Sequence, residues 1–432
     1  MPTMPNLPLE VLEEKILSRA PVTFLRAMRS TCKKWNDFSK EKIIPEAARK
    51  QQGLMLIKNN ICSLSFSLQG IHKDDFVVPS INQVNIPDHI KVDTIFHCDG
   101  ILLCVVEKNS SLVVWNPYLG QTRRIKVSND PDRNEKYRRC DRYALGYDNN
   151  NRNHKILRIM KDFRHSDGLG YEIYRFASNS WSLLDEEVMK PEWDVWSAQR
   201  SSVSFKGNTY FFLQGNDYGN EEDEDDEEYE DDDVVPKDNF LLCFDYTTES
   251  FGPRLLLPFN PHVEETVALS CVGKERLAML YQSFKTSESI EIWVADEIDP
   301  KAVSWSKFLK VDITPLTGFP VDFYVDSFFI DAEKKVVAVV DVHYRYQKAH
   351  IIGEDGYLKC VNMGRAPDVG NGQPLVFSSY VPSLVKVPVK QPKGKRKGRD
   401  LKNACGLFAS NISRIGQSKD ATWPSLNPTF VP

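Results

Sequence analysis

Eight histidines, nine cysteines and many carboxylates supply the raw material for metal centres, nucleophiles and acid–base pairs. Their spacing decides what they can do. His72, His89, His97, His154, His165, His262, His343 and His350 show no metal-ligand spacing. No HExxH, Walker A or GxSxG motif occurs, and no tyrosine–histidine copper set can be picked out. Gly168-Leu169-Gly170 and Gly370-Asn371-Gly372 lack the third glycine of a dinucleotide fingerprint, because Ile173 and Leu375 stand there. The cysteines are odd in number, have no CxxC pair, and mostly sit in apolar runs such as ILLCVV and LLCFDY. They read as reduced, buried thiols rather than a disulfide or zinc framework. The expectation is a non-enzymatic chain with no catalytic residues, no metal and no cofactor. Two carboxylates brought together by the fold would escape this search.

Charge gives a second kind of chemistry. The chain has a net charge of −5, with 55 Lys and Arg against 60 Asp and Glu. Twelve of the acidic residues fall in one run, EEDEDDEEYEDDD, Glu221–Asp233. The remainder is therefore mildly basic. A block of like charge repels itself and does not pack, so the run reads as a solvated loop insertion over 217–238. A dock for a basic target is the functional alternative, and EF-hand spacing is absent. KGKRKGR, Lys393–Arg399, reads as a nuclear localisation signal or an ordinary basic tail, and less well as a nucleic-acid contact. Nothing approaches the ~18 consecutive apolar residues of a membrane span. The N-terminus lacks a basic start followed by an apolar stretch, so it is not read as a secretory signal. The expected location is the cytoplasm, the nucleus or both, away from any membrane.

The elements that would position these residues fall into three parts. In residues 1–50 the period is helical. Pro8 suits a first helical turn, and Leu9, Leu12 and Ile16 follow on one stripe with Leu17 beside it. Pro21 marks a boundary and Thr23 can cap a second helix. That helix would align Phe24, Leu25, Met28, Cys32, Trp35 and Phe38, with Arg26, Arg29, Lys33 and Lys34 on the solvated face. A third short helix is expected around Glu41–Lys50. A package this small buries too little surface to stand alone comfortably. It needs a neighbour: its own following domain or another protein.

From about Gln51 the helical period disappears. Short runs rich in Val, Ile, Tyr, Phe and Trp alternate with Asn, Asp, Gly, Ser and Pro, which argues all-β. Nothing between them is long and periodic enough for the crossover helices of a parallel sheet. A strand–turn–strand unit recurs in LVVWNPYLGQTRRI, YEIYRFASNSWSLL, LLCFDYTTESFGPRL and IEIWVADEIDPKAVSWSKFL, with a weaker copy in IIGEDGYLKCV. Its anchors are Trp115, Tyr174, Phe244, Trp293 and Ile352, at gaps of 59, 70, 49 and 59 residues. The acidic run accounts for the longest gap. An earlier unit, LMLIKNNICSLSFSL, lies about 50 residues before Trp115. Repeats of this size built from four strands are the signature of propeller blades. The expected fold is mostly β, short helices followed by a kelch-like β-propeller of about five or six blades over 51–380. A pair of β-sandwiches is the alternative. The segment 381–432 reads as a loose basic tail.

Two parts of the chain resemble known families. Leu7-Pro8, Ile16-Leu17-Ser18-Arg19-Ala20-Pro21, Leu25 and Arg29-Ser30-Thr31-Cys32-Lys33-Lys34-Trp35 resemble an F-box. The resemblance implies docking onto a Skp-type adaptor and, through it, a cullin ubiquitin ligase. It assigns Leu7, Pro8, Ile16, Leu17, Pro21 and Leu25 to the adaptor-facing positions. Cys32 and Trp35 match positions that close the small core or join the contact. Leu7-Pro8 stands one residue further from Ile16-Leu17 than the usual spacing, a rotation of about 100° on a helix. HCDGILLC, LVVWNPYLGQTRRI, YALGYDN, YEIYRFASNSW, SVSFKGNTYF, LLCFDYTTESFGPRL and AVSWSKFL resemble the F-box-associated domain of the plant F-box/kelch-repeat proteins. That implies a receptor holding a protein substrate on its β domain. Trp193 and Trp196 in KPEWDVWSAQR are candidate substrate anchors, since aromatics on loops are common interface hot spots. A plain propeller scaffold that never meets a ligase is the alternative reading.

Overall fold

The computed structural model describes residues 52–57, 59–66, 79–83, 86, 90–106, 111–127, 141–162, 168–184, 202–213, 239–261, 265–272, 275–283, 289–312, 325–331, 335–341, 346–353, 357–365, 376–380 and 382–387. These form twenty-four strands in six four-stranded sheets. Blade 1 holds β1 (Gln52–Ile57), β2 (Asn60–Phe66) and β3 (Pro79–Gln83), with β24 (Val376–Tyr380) added at its inner side. Blade 2 holds β4 (Val92–Cys98), β5 (Ile101–Val106), β6 (Ser111–Asn116) and β7 (Gln121–Lys126). Blade 3 holds β8 (Arg142–Tyr147), β9 (His154–Asp162), β10 (Gly168–Arg175) and β11 (Ser180–Leu183). Blade 4 holds β12 (Ser202–Phe205), β13 (Asn208–Leu213), β14 (Phe240–Asp245) and β15 (Ser250–Leu256). Blade 5 holds β16 (Thr266–Val272), β17 (Arg276–Ser283), β18 (Ser289–Ile298) and β19 (Val303–Asp312). Blade 6 holds β20 (Val325–Asp331), β21 (Val336–Asp341), β22 (Tyr346–Gly353) and β23 (Leu358–Arg365).

The first strand of each blade lines the middle. β4, β8, β12, β16, β20 and β24 touch in succession, and β4 meets β12 across the centre. The chain is therefore a six-bladed propeller, at the upper end of the expected blade number. All five repeat anchors fall on the third strand of a blade: β6, β10, β14, β18 and β22. The earlier unit, LMLIKNNICSLSFSL, supplies β1 and β2.

Burial explains why those strands were legible. Second and third strands are largely covered on both faces by neighbouring blades, so several read as near-continuous apolar runs, as β5 (ILLCVV) and β21 (VVAVVD) do. β13 is buried at all six positions and β14 at five. Fourth strands face solvent and alternate, as in β19. Each seam is a mixed core. Phe96, Leu103 and Val114 of blade 2 pack with Leu145, Ile156 and Tyr174 of blade 3.

Tight turns set the registers. Asp99-Gly100 and Lys206-Gly207 join inner hairpins with both residues at positive φ (51° and 79°, 48° and 89°), the two-residue turn that matches strand twist. Gly146 serves a different need. A Cβ there would lie 2.1 Å from the Tyr246 ring and 2.4 Å from the Gly207 oxygen, so only glycine lets blades 3 and 4 close.

The chain does not stop at β24. Residues 382–387 cross onto blade 2, where Val387 is 2% exposed and joins the core between blades 2 and 3. The packed body therefore runs seven residues past the boundary placed at 380.

Candidate functional site

The adaptor-facing residues Leu7, Pro8, Ile16, Leu17, Pro21, Leu25, Cys32 and Trp35 lie outside the described residues, as do Trp193 and Trp196, the run Glu221–Asp233 and the basic stretch Lys393–Arg399. The structure does describe the scaffold from which those segments leave, and it sorts them by face.

Antiparallel order makes this sorting strict. Hairpins joining the first to second and third to fourth strands of a blade emerge on one face. Links from second to third strands, and from each blade to the next, emerge on the other. The first face, here the hairpin face, carries 67–78, Asp99-Gly100, 117–120, 148–153, 176–179, 206–207, 246–249 and 299–302. The second, the crossover face, carries 127–141, 184–201, 214–239 and 313–324. The connections whose sequence contains Trp193, Trp196 and the acidic run start and end at described strand ends on the crossover face. β1 is a second strand, so residues before Gln52 join the hairpin face. β24 is a first strand, so residues after Tyr380 leave on the hairpin face too.

Turn chemistry keeps much of the hairpin face short. In three blades a four-residue turn, 117–120, 176–179 and 246–249, ends in a left-handed residue: Gly120 (φ 63°), Asn179 (φ 58°) and Glu249 (φ 56°). Glycine and asparagine are at ease there; glutamate is not. The Glu249 carboxylate is used by its neighbour blade, where it accepts from Arg175 and lies 2.9 Å from Lys155 Nζ. Burial pushes its pKa up, but the bonds from Arg175 and Lys155 outweigh this and hold it below the usual carboxylate value. Further bonds stitch blades 2 to 4 together. Tyr147 N donates to Gly207 O (2.9 Å), and Asn149 N to Thr247 Oγ1 (2.9 Å). Arg123 Nη2 donates to Tyr174 OH (3.0 Å), and Arg152 pairs with Asp99 at 3.7 Å. These groups are engaged with each other across blades 2 to 4.

Inside the seams, Arg158 is 2% exposed and meets Asp141 (2.5 and 3.0 Å) and Glu172 (2.7 Å). It bridges the entry to β8, the second strand and the third strand of blade 3. Two tryptophans that the sequence showed only as part of a repeat have a common role. Trp181 Nε1 donates to Lys126 O (2.9 Å), and Trp305 Nε1 to Leu256 O (3.1 Å). Each ties an outer strand to the last outer residue of the preceding blade. Their signal was the recurrence of Ser-Trp after the third strand. Cys62, Cys98, Cys104, Cys243 and Cys271 are buried free thiols, and burial raises the Cys271 pKa to about 12. Cys360 is exposed. Among the described residues, no group of three His, Cys, Asp or Glu is placed to hold a metal.

The matching family model describes a β-propeller domain, in agreement with this architecture. The F-box associated beta propeller domain family matches residues 52–387, ending at the last described residue of the strap on blade 2. An F-box protein of Arabidopsis thaliana, At3g13820, is 83% identical over 403 residues, covering 92% of this chain and 95% of the relative. The F-box/kelch-repeat protein At3g13680 of the same plant is 48% identical over 419 residues, covering 92% and 99%. Among solved structures, TolB from Acinetobacter baumannii aligns with a TM-score of 0.39 at 8% identity, over 79% of this chain and 70% of that one. With a matched domain spanning most of its length and relatives aligned over about nine tenths of it, the chain belongs to the plant F-box proteins that carry an F-box associated β-propeller domain.

Proposed function

We propose that the chain is the substrate-receptor subunit of a Skp–cullin–F-box ubiquitin ligase. One observation carries the reading beyond family membership: the two faces of the propeller are dissimilar. The N-terminal module is tethered at the stitched hairpin face, where β1 begins. The long connections that hold Trp193, Trp196 and the acidic run start and end on the opposite face. A ligase held at one face leaves the other open to a target protein. In this reading Leu7, Pro8, Ile16, Leu17, Pro21, Leu25, Cys32 and Trp35 meet the Skp-type adaptor, and through it a cullin. The chain itself performs no catalysis, needs no cofactor and binds protein rather than nucleic acid. Lys393–Arg399 directs part of the population to the nucleus.

The test is co-purification with a Skp-type adaptor on size-exclusion chromatography. Wild type should elute as a complex, and the Leu17→Asp/Pro21→Ala variant should elute alone with its propeller folded. A folded wild type that forms no complex would sink the ligase reading and leave a propeller scaffold.

A further inference from the structure

Ring closure in this propeller joins strands from opposite ends of the described chain, β1 and β24. Among the described residues, the ladder between β24 and β1 pairs Gln52 with Tyr380, Leu54 with Phe377 and Met55 with Val376, with a register shift between Gln52 and Leu54. β24 is also the one first strand that arrives from the far end of the chain, so no hairpin holds it against β1.

The strap after β24 compensates. Asn116, at the end of β6 and 0% exposed, donates through Nδ2 to two strap carbonyls, Ser383 O (3.1 Å) and Val385 O (2.7 Å). Its Oδ1 accepts from Leu119 N (2.9 Å), so the amide is held in one orientation. Gln121 Oε1 accepts from Val387 N (3.0 Å). Val385 and Val387 fill the core between blades 2 and 3. The strap thus runs outward from the centre of blade 1 across blade 2 and anchors in the next seam. Its two backbone acceptors are bound by one buried side chain, which would be left unsatisfied without them.

We propose that residues 382–387 are a latch that keeps the ring shut. By anchoring past blade 2, they hold β24 in blade 1 and so keep β1 paired on its inner side. β1 is the strand from which the N-terminal module departs. Release of the latch would free that attachment strand while the other blades stay intact, so an event on the C-terminal segment is felt at the N-terminal module. The latch depends on the propeller alone and stands whether or not the chain meets a ligase.

Hydrogen exchange by mass spectrometry on the full chain tests it. Asn116→Ala removes both clamp bonds. Amides of 376–380 and 52–57 should exchange at least about tenfold faster, with β12–β19 unchanged, as expected for local rather than global opening. Faster exchange confined to 117–121 and 382–387 would overturn the latch. Val387→Ser leaves the Asn116 turn intact and guards against collapse of blade 2. It should give the same pattern, and unchanged protection of 52–57 in that variant would equally overturn the proposal.

Discussion

At the residue scale, two buried histidines give the propeller a measurable pH dependence. His154 is 6% exposed, its ring lies 5.4 Å from that of Tyr147, and its Nε2 finds no hydrogen-bond partner. Burial lowers its pKa to about 4; the nearby Asp99 opposes this and Arg152 reinforces it. His350, on the third strand of blade 6, is lowered to about 4 by burial, helped by Lys348. Both are neutral in the folded state where the unfolded chain takes up protons. Their contribution is fully present above pH 6.5, falls as the pH drops toward 4, and changes no further below that. The shifts correspond to roughly 3 kcal/mol for each histidine at most. Urea unfolding at pH 7 and pH 4.5 should therefore show a loss of stability at the lower pH. The His154→Gln/His350→Gln double variant should lose markedly less between the same two pH values, whatever its absolute stability. An unchanged difference would mean that neither ring is held neutral by the fold. Glu249 works in the opposite sense to a buried acid. Burial raises its pKa but the bonds from Arg175 and Lys155 lower it overall, and because Glu249 is the same in wild type and double variant its effect cancels from the comparison.

At the element scale, legibility in the sequence depended on how each strand is covered. Third strands carry apolar side chains on both faces, and so Trp115, Tyr174, Phe244, Trp293 and Ile352 marked five of them in register. Blade 1 was blurred because its inner strand lies some 320 residues after β1, where no scan for adjacent repeats would look. The clamp on the strap was invisible for the same reason: Asn116 and Ser383 are 267 positions apart, and a lone asparagine after an aromatic strand reads as turn chemistry. The N-terminal adaptor residues were proposed from type and spacing alone, and they lie outside the described residues. The acidic insertion was placed by its flanks, and the structure adds their geometry. Leu213 and Phe240 are directly paired at its two ends, so residues 214–239 close a hairpin already in register. Loop closure costs about (3/2)RT ln n, so replacing 214–238 by a four-residue turn should stabilise the protein by roughly 1–2 kcal/mol. Chemical denaturation of the shortened chain checks this. A loss of stability, or a chain that no longer folds, would show that the insertion packs on the propeller and is more than a solvated loop.

At the scale of the whole molecule, the division between the faces links fold to function. The second and third strands of the blades, six to ten residues long, span roughly 20–33 Å at ~3.3 Å per residue, and they set the separation between hairpin and crossover faces. One face is largely consumed by its own architecture: short turns, inter-blade ion pairs, the strap and the tether of the N-terminal module. The other receives most of the connections long enough to vary without disturbing a blade, which is where recognition residues are easiest to place. Two partners bound at opposite ends of a rigid body should ignore each other, since sites this far apart with no shared residues behave additively. The acidic run, whose flanking strands β13 and β14 meet at the crossover face, offers a handle that does not require knowing the target. A Fab raised against the Glu221–Asp233 peptide should bind the free chain and its complex with the Skp-type adaptor with Kd values that agree within about twofold, the tolerance expected of independent sites. The adaptor should stay bound at saturating Fab. Displacement in either direction would bring the N-terminal module round to the crossover face, and the target would then have to be sought on the hairpin face instead.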